Sequence, residues 1–281
     1  MIVVTGATGN VGRPLVQALA AAGEQVTAVS RRPAAGEAPQ GVHYRQADLA
    51  DSDSLRPVLE GADALFILIA GELLMGGESP AGILDAAKAG GVRRVVLLSS
   101  QAAGTRPGGL SHARLRAFEE AVKESGLEWT ILRPGGFATN AYAYAEAVRG
   151  TRTVAAPFGD VALPVVDPAD IAEVAAVTLR EDGHTGRTYE LTGPAALSPR
   201  RQAKALGDVL GAEVLFVELT REDARTHMLQ FMPEPVVDGT LDILGEPTPA
   251  EQRVSPDVER ILGRAPHSFA DWAARNIAAF T

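Results

Sequence analysis

The sequence predicts an α/β fold: a doubly wound parallel sheet with helices on both faces, followed by a smaller, mixed α/β C-terminal region that covers the substrate side. Three observations lead there. Short apolar, β-branched runs alternate with longer Ala- and Leu-rich segments, as successive βαβ units require. The apolar runs are continuous rather than alternating, which suits strands covered on both faces. A turn with regularly spaced glycines stands directly between the first strand and the first helix.

Taken in order, strands are expected over 2–5, 25–29, 42–45, 64–69, 94–98 and 128–132, with helices over 11–22, 53–59, 80–90 and 111–125 between them. These units account for residues 1–133, read as one domain, and residues 134–281 form the second region, partly interleaved with the sheet. Past Arg133-Pro134 the pattern loosens. A helix over 168–179, a strand over 188–191, a helix over 199–210 and a strand over 214–218 remain regular, and prolines break up the helical stretches after Thr220. Ligands of open α/β sheets sit beyond the carboxyl ends of the strands, so the less regular half is the expected substrate cover.

Composition excludes several classes of function. The formal net charge of −9 repels a phosphate backbone, and no Lys/Arg stripe with interleaved aromatics offsets it, so no nucleic acid partner is expected. The absence of cysteine removes disulfides, thiolate metal sites and thiol nucleophiles together. His43, His112, His184, His227 and His267 lie far apart, and no metal is expected. Met1 runs straight into Ile2-Val3-Val4 without a basic or long apolar leader, and no stretch reaches the roughly 18 apolar residues of a span. The expectation is a cytoplasmic protein with no membrane partner.

The chemistry starts at Thr5-Gly6-Ala7-Thr8-Gly9-Asn10-Val11-Gly12. Gly6 permits a tight turn, Gly9 lets backbone N–H groups approach a diphosphate, and Gly12 lets the helix lie close to the sheet. The helix N-terminus adds its partial positive charge. This is the strand, turn and helix of a Rossmann dinucleotide site, with Gly6, Thr8, Gly9, Asn10, Val11 and Gly12 as binding candidates. Where NAD sites present an acidic residue to the ribose, the second strand ends in Arg31-Arg32. A guanidinium grips a 2′-phosphate bidentately, so NADPH (NADP) is the expected cofactor and Arg31, first off the strand, the leading ligand. A solvated basic loop is the other reading.

With these residues in view, the chain resembles the atypical, extended short-chain dehydrogenases, and within them the NmrA-like group that includes NAD(P)H-dependent quinone reductases. The resemblance rests on the N-terminal TGATGNVG, the Arg after the second strand, Ala47-Asp48-Leu49, and the run from Gly126 through Arg133-Pro134-Gly135-Gly136-Phe137 to Asn140. Val166-Asp167-Pro168-Ala169-Asp170-Ile171-Ala172 and Tyr189-Glu190-Leu191-Thr192-Gly193-Pro194 extend it over nearly the whole chain. It implies that Asp48 and Leu49 flank the adenine, that Leu68, Ile69 and Ala70 run along the cofactor, and that Pro134 to Phe137 lie beside the nicotinamide. A helix N-cap is the alternative role for Asp48.

One departure matters. Tyrosine-dependent members of that superfamily use a Tyr and a Lys four residues later as a proton relay, and no Tyr here has such a Lys. His112, in Ser111-His112-Ala113-Arg114, is the candidate substitute acid, since its ordinary pKa lies near neutrality; a surface histidine at a helix start is the duller reading. Ser99 and Ser100 stand where the superfamily places a substrate-orienting serine, and Ser99 is a candidate on both the catalytic and cofactor sides. Gln101, Phe137, Asn140, Tyr142 and Tyr144 are the substrate-pocket candidates, joined by Met228, Phe231 and Met232, although core packing explains each equally well. Leu73 to Gly77 resembles a flap or an ordinary loop.

The expected function is NADPH-dependent hydride transfer to a quinone or related conjugated, aromatic carbonyl compound. Two others stay open: an NAD(P)-sensing NmrA-type binding protein without turnover, and a carbonyl or enone reductase of secondary metabolism with a substitute acid. The partner is a small aromatic or quinone-like molecule, and a homodimer is an open expectation.

Overall fold

The computed structural model describes residues 1–32, 38–74 and 76–281. The first half lays down β1 (Ile2–Thr5), α1 (Gly12–Ala21), β2 (Val26–Ser30), β3 (Val42–Gln46), α2 (Ser52–Leu59), β4 (Ala64–Leu68), α3 (Pro80–Ala89), β5 (Arg94–Leu98), α4 (Gln101–Thr105), α5 (Ala113–Glu124) and β6 (Glu128–Pro134). The second half adds α6 (Ala145–Thr151), β7 (Thr153–Pro157), α7 (Pro168–Arg180), β8 (Arg187–Leu191), α8 (Pro199–Leu210) and β9 (Leu215–Leu219). It closes with α9 (Arg221–Met228), α10 (Glu234–Gly245), α11 (Pro249–Gln252), α12 (Asp257–Leu262) and α13 (Phe269–Arg275).

Seven parallel strands run in the order β3-β2-β1-β4-β5-β6-β8, as the doubly wound reading requires. β1 lies between β2 and β4, so chain direction across the sheet reverses beside it and the turn after β1 opens into the crevice this reversal creates. The central strands are apolar on both sides because both sides are covered. α1 buries Leu15, Val16 and Leu19, one helical stripe, beside Ile171 and Val174 of α7. On the other face Leu55 and Leu59 of α2, Ile83 and Leu84 of α3, and Phe118 and Val122 of α5 meet Val3, Leu65 and Leu97. Asp51, Ser79, Asp167 and Ser198 accept backbone N–H groups as N-caps of α2, α3, α7 and α8, the last three followed by proline in the first turn.

β8 comes from beyond residue 134 and completes the main sheet on β6. α6, β7, α8, β9 and α13 form a small layer in which β7 and β9 pair in parallel beneath α8, with Val154, Leu206, Phe269, Trp272 and Phe280 at its centre, while α7 and α12 pack on the main sheet. β7 carries no sequence signal, since Thr-Val-Ala-Ala-Pro is short and weak in β-propensity, and it is a strand only because β9 pairs with it. The helix expected over 111–125 begins instead as a 3-10 turn over Leu110–His112 before α5.

Buried ion pairs fasten the C-terminal segments to α7 and to the end of α4. Asp170 on α7 is fully buried and accepts Arg264 Nη2 at 2.9 Å, the His267 backbone N–H at 2.7 Å and sits 2.7 Å from His267 Nδ1. Arg275 reaches the Asp167 carboxylate. Glu251 of α11 takes Arg106 Nε at 2.8 Å, Arg106 Nη2 at 2.9 Å and Thr105 Oγ1 at 2.7 Å, tying α10 and α11 to the end of α4.

Burial alone would raise the Glu251 carboxyl, but the bonds from Arg106, Thr105 and the Thr248 backbone outweigh it and hold the group at about 2 instead of 4.5. The folded state therefore binds fewer protons than the unfolded one. The stabilisation is complete above the unfolded value of 4.5 and is lost as pH falls through about 2. We expect Glu251→Gln to flatten the fall of Tm with acidification across that window relative to the wild type; parallel acid limbs in scanning calorimetry would refute the latch.

Candidate functional site

The turn between β1 and α1 is built by close approach. Gly6 has φ +65°, a conformation glycine adopts without strain, and Leu68 of β4 sits directly against it. A Cβ at Gly12 would lie 2.7 Å from the Gly6 carbonyl carbon and closer still to its oxygen, so the first residue of α1 must be glycine for the helix to rest on the turn. Thr5 fixes the strand ends beneath it: its hydroxyl donates to the Phe66 carbonyl at 3.0 Å and accepts the Leu68 N–H at 3.0 Å.

The helix start is left open. Val11 offers no side-chain cap, no acidic residue stands in the first turn of α1, and the N–H groups of Asn10, Val11 and Gly12 have no acceptor among the described residues. Unsatisfied N–H groups at the positive end of a helix are a ready anion site. A cavity of about 380 Å³ opens onto Asn10 and Val11 but not onto Gly12; it is lined also by Gly6, Thr8 and Gly9 and continues past Arg31, Asp48, Leu49, Leu68, Ala70 and Phe137. All of these positions are expected from the sequence, and they share one cleft. The features fit a dinucleotide: a diphosphate over the open amides, a purine slot between β2 and the Ala47–Ala50 segment, and apolar walls where the chain leaves β4 and β6.

Arg31 is exposed at the end of β2, with its guanidinium beside Gly71, where a Cβ would lie 3.8 Å from Nη1. Gln46 Nε2 holds its carbonyl at 3.2 Å. Asp48 is not a helix cap; Asp51 caps α2, while the Asp48 carboxylate accepts the Ala50 N–H at 3.0 Å and its N–H is held by Ser54. Phe137 is fixed by strand-like bonds on either side, from Val166 N–H to the Gly136 carbonyl at 2.8 Å and from Ala138 N–H to the Val166 carbonyl at 2.9 Å.

Other expected site residues lie elsewhere. Ser99 is buried and its hydroxyl donates to Glu119 at 2.6 Å, a carboxylate that also takes Arg133 Nε at 2.9 Å, so this serine completes an internal ion pair instead of facing the cleft. Gln101 is buried too, its Nε2 donating to the Ala250 carbonyl at 3.3 Å, where it helps hold α11 in place. Tyr142 turns towards the C-terminus: its hydroxyl donates to Asn276 at 2.6 Å and its ring lies against Trp272 and Phe280. Ile69 belongs to the core, Pro134 is buried in β6, and Arg32 is exposed without lining the cavity. Asn140 is exposed on the 3-10 turn over Ala138–Tyr144, and Tyr144 is half-buried against the small layer, with burial raising its phenol. Met228 and Met232 sit under α10 with Val237 and Leu241, and Phe231 is exposed.

His112 is half-buried in the 3-10 turn before α5, its Nδ1 2.9 Å from Ser111 Oγ, and it does not line the cavity. Burial, reinforced by the charges of Arg116 and Arg106, pushes its imidazole below the ordinary value despite Glu251 nearby. It is therefore neutral at pH 7, which counts against an acid role. Of the flap expected over 73–77, Leu73 is buried and lines the cavity, while Met75 lies outside the described residues. Thr5, Val29, Ser30, Ala47, Ala50 and Leu73 also line the cavity, and the sequence does not mark them as binding residues; they are small or apolar, and nothing distinguishes such residues from core.

Volume does not choose the site. A larger groove of about 680 Å³ lies between α8 and β9, but Arg200 there pairs with Asp160 and Lys204 with Asp208, and it has no open helix start. Among the described residues no three His, Asp or Glu side chains are placed to hold a metal ion, and no helix is long and apolar enough to cross a membrane.

Residues 6–182 match a protein family described as NAD(P)H-binding. Over its whole length the chain is 37% identical to the (4-alkanoyl-5-oxo-2,5-dihydrofuran-3-yl)methyl phosphate reductase of Streptomyces griseus subsp. griseus, covering 100% of this chain and 99% of that protein. It is 32% identical over 250 residues to quinone oxidoreductase 2 of Escherichia coli (strain K12), covering 88% of this chain and 86% of that one. The crystal structure of an NADPH-dependent quinone oxidoreductase from Escherichia coli complexed with NADPH superposes with a TM-score of 0.83 at 28% identity, covering 99% of this chain and 100% of that one.

Two expectations separate the parts of the turn. Gly9→Val fills the space before the open amides, its Cβ 3.3 Å from the Gly6 oxygen, and should abolish dinucleotide binding with little change in Tm. Gly12→Ala should instead destabilise the fold by about 1 to 3 kcal/mol. Isothermal calorimetry and thermal melts on both variants decide whether binding and packing divide in this way. At the other end of the cleft, Arg31→Asp tests whether Arg31 takes a 2′-phosphate: such a bidentate contact would be worth roughly 1.5 to 3 kcal/mol, about one to two decades in affinity, and its loss should weaken NADPH far more than NADH. Equal affinity of the wild type for the two cofactors would refute the assignment of Arg31.

Proposed function

The chain belongs to the NAD(P)H-binding family, and from that premise we propose that it is an NADPH-dependent oxidoreductase that reduces a quinone or a related conjugated carbonyl compound. The observation that supports this reading is the cleft itself: open amides at a helix start, an arginine at the end of β2, and an apolar far end with no Tyr/Lys pair.

When bound, NADPH supplies hydride. Under this reading the chain's own residues do the rest. The N–H groups of Asn10, Val11 and Gly12 hold the diphosphate, Arg31 holds the 2′-phosphate, and Asp48 and Leu49 flank the adenine. Leu68, Ala70 and Phe137 exclude water from the far end, where low polarity strengthens every charge interaction. Phe137 can do this because Gly136 and Ala138 are bonded to Val166.

The acceptor class rests on the fate of the proton. Reduction of an isolated carbonyl creates a strongly basic alkoxide and needs a placed acid, whereas a quinone or a doubly activated alkene gives a delocalised anion that a weak acid or water can protonate. A neutral His112 outside the cleft suits the second kind. One relative is named for a quinone and another for an alkanoyl-oxo-dihydrofuran, both conjugated acceptors. The partner is accordingly a small, flat, conjugated molecule.

NADPH oxidation should be measured against a panel of quinones, acylated unsaturated lactones and simple ketones. We expect turnover with the first two. Tight NADPH binding with no turnover on any acceptor would overturn the enzyme reading in favour of a sensor. His112→Phe should leave the quinone rate within about threefold, because general acid catalysis, typically worth about 10² or more, is not being lost. A loss of about 10² confined to carbonyl acceptors would make His112 the acid after all.

A further inference from the structure

Residues 71–74 and 76–78, which come after β4 and supply Leu73 to the cleft wall, are held from outside the cleft. Arg114, in the first turn of α5, donates Nε to the Leu73 carbonyl at 3.3 Å and Nη2 to the carbonyl of Gly77 at 3.4 Å and to that of Glu78. Its guanidinium also lies 5.1 Å above the Phe118 ring centre, so a buried aromatic fixes its direction. The segment's far end is tied down separately: Glu78 accepts the Ser52 N–H at 3.4 Å, at the start of α2. Its near end, Gly71, lies beside the Arg31 guanidinium. Leu73 is 5% exposed, so the segment is seated in the core at this point and lines the cavity with the same side chain.

A guanidinium spent on carbonyls of one short segment is a brace. Backbone carbonyls near a surface are ordinarily satisfied by water, and a planar donor fork joining three of them fixes their relative positions at lower entropy cost than a flexible ammonium could. Gly77 has φ +101°, so the bend that brings its carbonyl to Arg114 depends on glycine.

We infer that Arg114 is a positioning residue for the dinucleotide: by clasping Leu73, Gly77 and Glu78 from α5 it holds the Leu73 wall against the cleft and raises cofactor affinity without touching the cofactor. The inference rests on the cleft being the NADPH site. It distinguishes Arg114 from Arg31, which acts on the phosphate itself and so on the choice between cofactors.

The test uses the full chain and three variants. Arg114→Met keeps an apolar stem over Phe118 and removes all three bonds, Arg114→Lys retains one donor group, and Gly77→Ala disturbs the clasp from the other side. Dissociation constants for NADPH and NADH are measured by calorimetry, with KM for NADPH and thermal melts alongside. Arg114→Met and Gly77→Ala should weaken both cofactors by about tenfold, leaving their ratio unchanged, and Arg114→Lys should recover part of the loss. The defect should appear in KM for NADPH and be overcome by excess cofactor. Affinities within about twofold of wild type in all three folded variants, or a lowered Tm as the sole change, overturn the inference. So does a selective loss of NADPH, which would put Arg114 on the phosphate. Failure of the wild type to bind either dinucleotide would instead sink the cleft assignment, a separate result.

Discussion

The start of α1 can rest on the turn after β1 only because Gly12 carries no side chain to strike the Gly6 carbonyl, while Gly6 itself takes a left-handed bend against Leu68 of β4. That approach shapes the whole cleft. It leaves the N–H groups of Asn10, Val11 and Gly12, at the positive end of α1, without acceptors among the described residues, and Asn10 and Val11 line the crevice beside β1. Open N–H groups at a helix start suit an anion, and one bound there would stabilise the folded state. The sheet order matters for the same reason. β2 and β4 flank β1, and β1 leads to α1 on one face while β4 leads to α3 on the other, so the crevice there suits a ligand that is long, charged in the middle and flat at both ends.

Acidic residues do most of the fastening. Glu119 gathers Arg133 and Ser99 across β5, α5 and β6; Glu251 gathers Arg106 and Thr105; Asp170 gathers Arg264 and His267. Each is buried and each has several donors, the condition under which a buried carboxylate can remain charged. The Val-Asp-Pro-Ala-Asp motif, one of those that carry the resemblance to the dehydrogenases, therefore has a structural meaning here. Asp167 caps α7 and meets Arg275, while Asp170, in the first turn of the same helix, anchors the tail over 264–267. The C-terminal segments are thus fastened to α7 and to the end of α4 by charge, while the apolar faces of α10 and α13 pack within the second half of the chain.

These fastenings bear on the chemistry. With Ser99 committed to Glu119 and His112 kept neutral by burial and neighbouring arginines, neither is placed to deliver a proton to a basic oxygen in the cleft. A conjugated acceptor relaxes that demand, because its reduced form spreads the charge. A similar division is visible at the cofactor end, where two arginines have different surroundings: the Arg31 side chain is exposed at the end of β2, while that of Arg114 is consumed in bracing the wall.

The sequence by itself determined the sheet and the glycine turn after β1, since these depend on local apolar runs and on closely spaced glycines. It also determined that an arginine and not a carboxylate stands at the end of β2, because strand and turn are fixed by neighbouring residues. The tertiary structure alone decided the direction of the polar side chains near the strand ends. Ser99, Gln101 and Tyr142 each had an expected place near the cleft, and each found its partner far along the chain, at Glu119, Ala250 and Asn276. A polar group at a strand end can be satisfied by a ligand or by the protein, and only the folded positions of distant segments determine which. β7 obeys the same rule: its five residues become a strand because β9, much later in the chain, offers the hydrogen bonds that its own sequence does not call for.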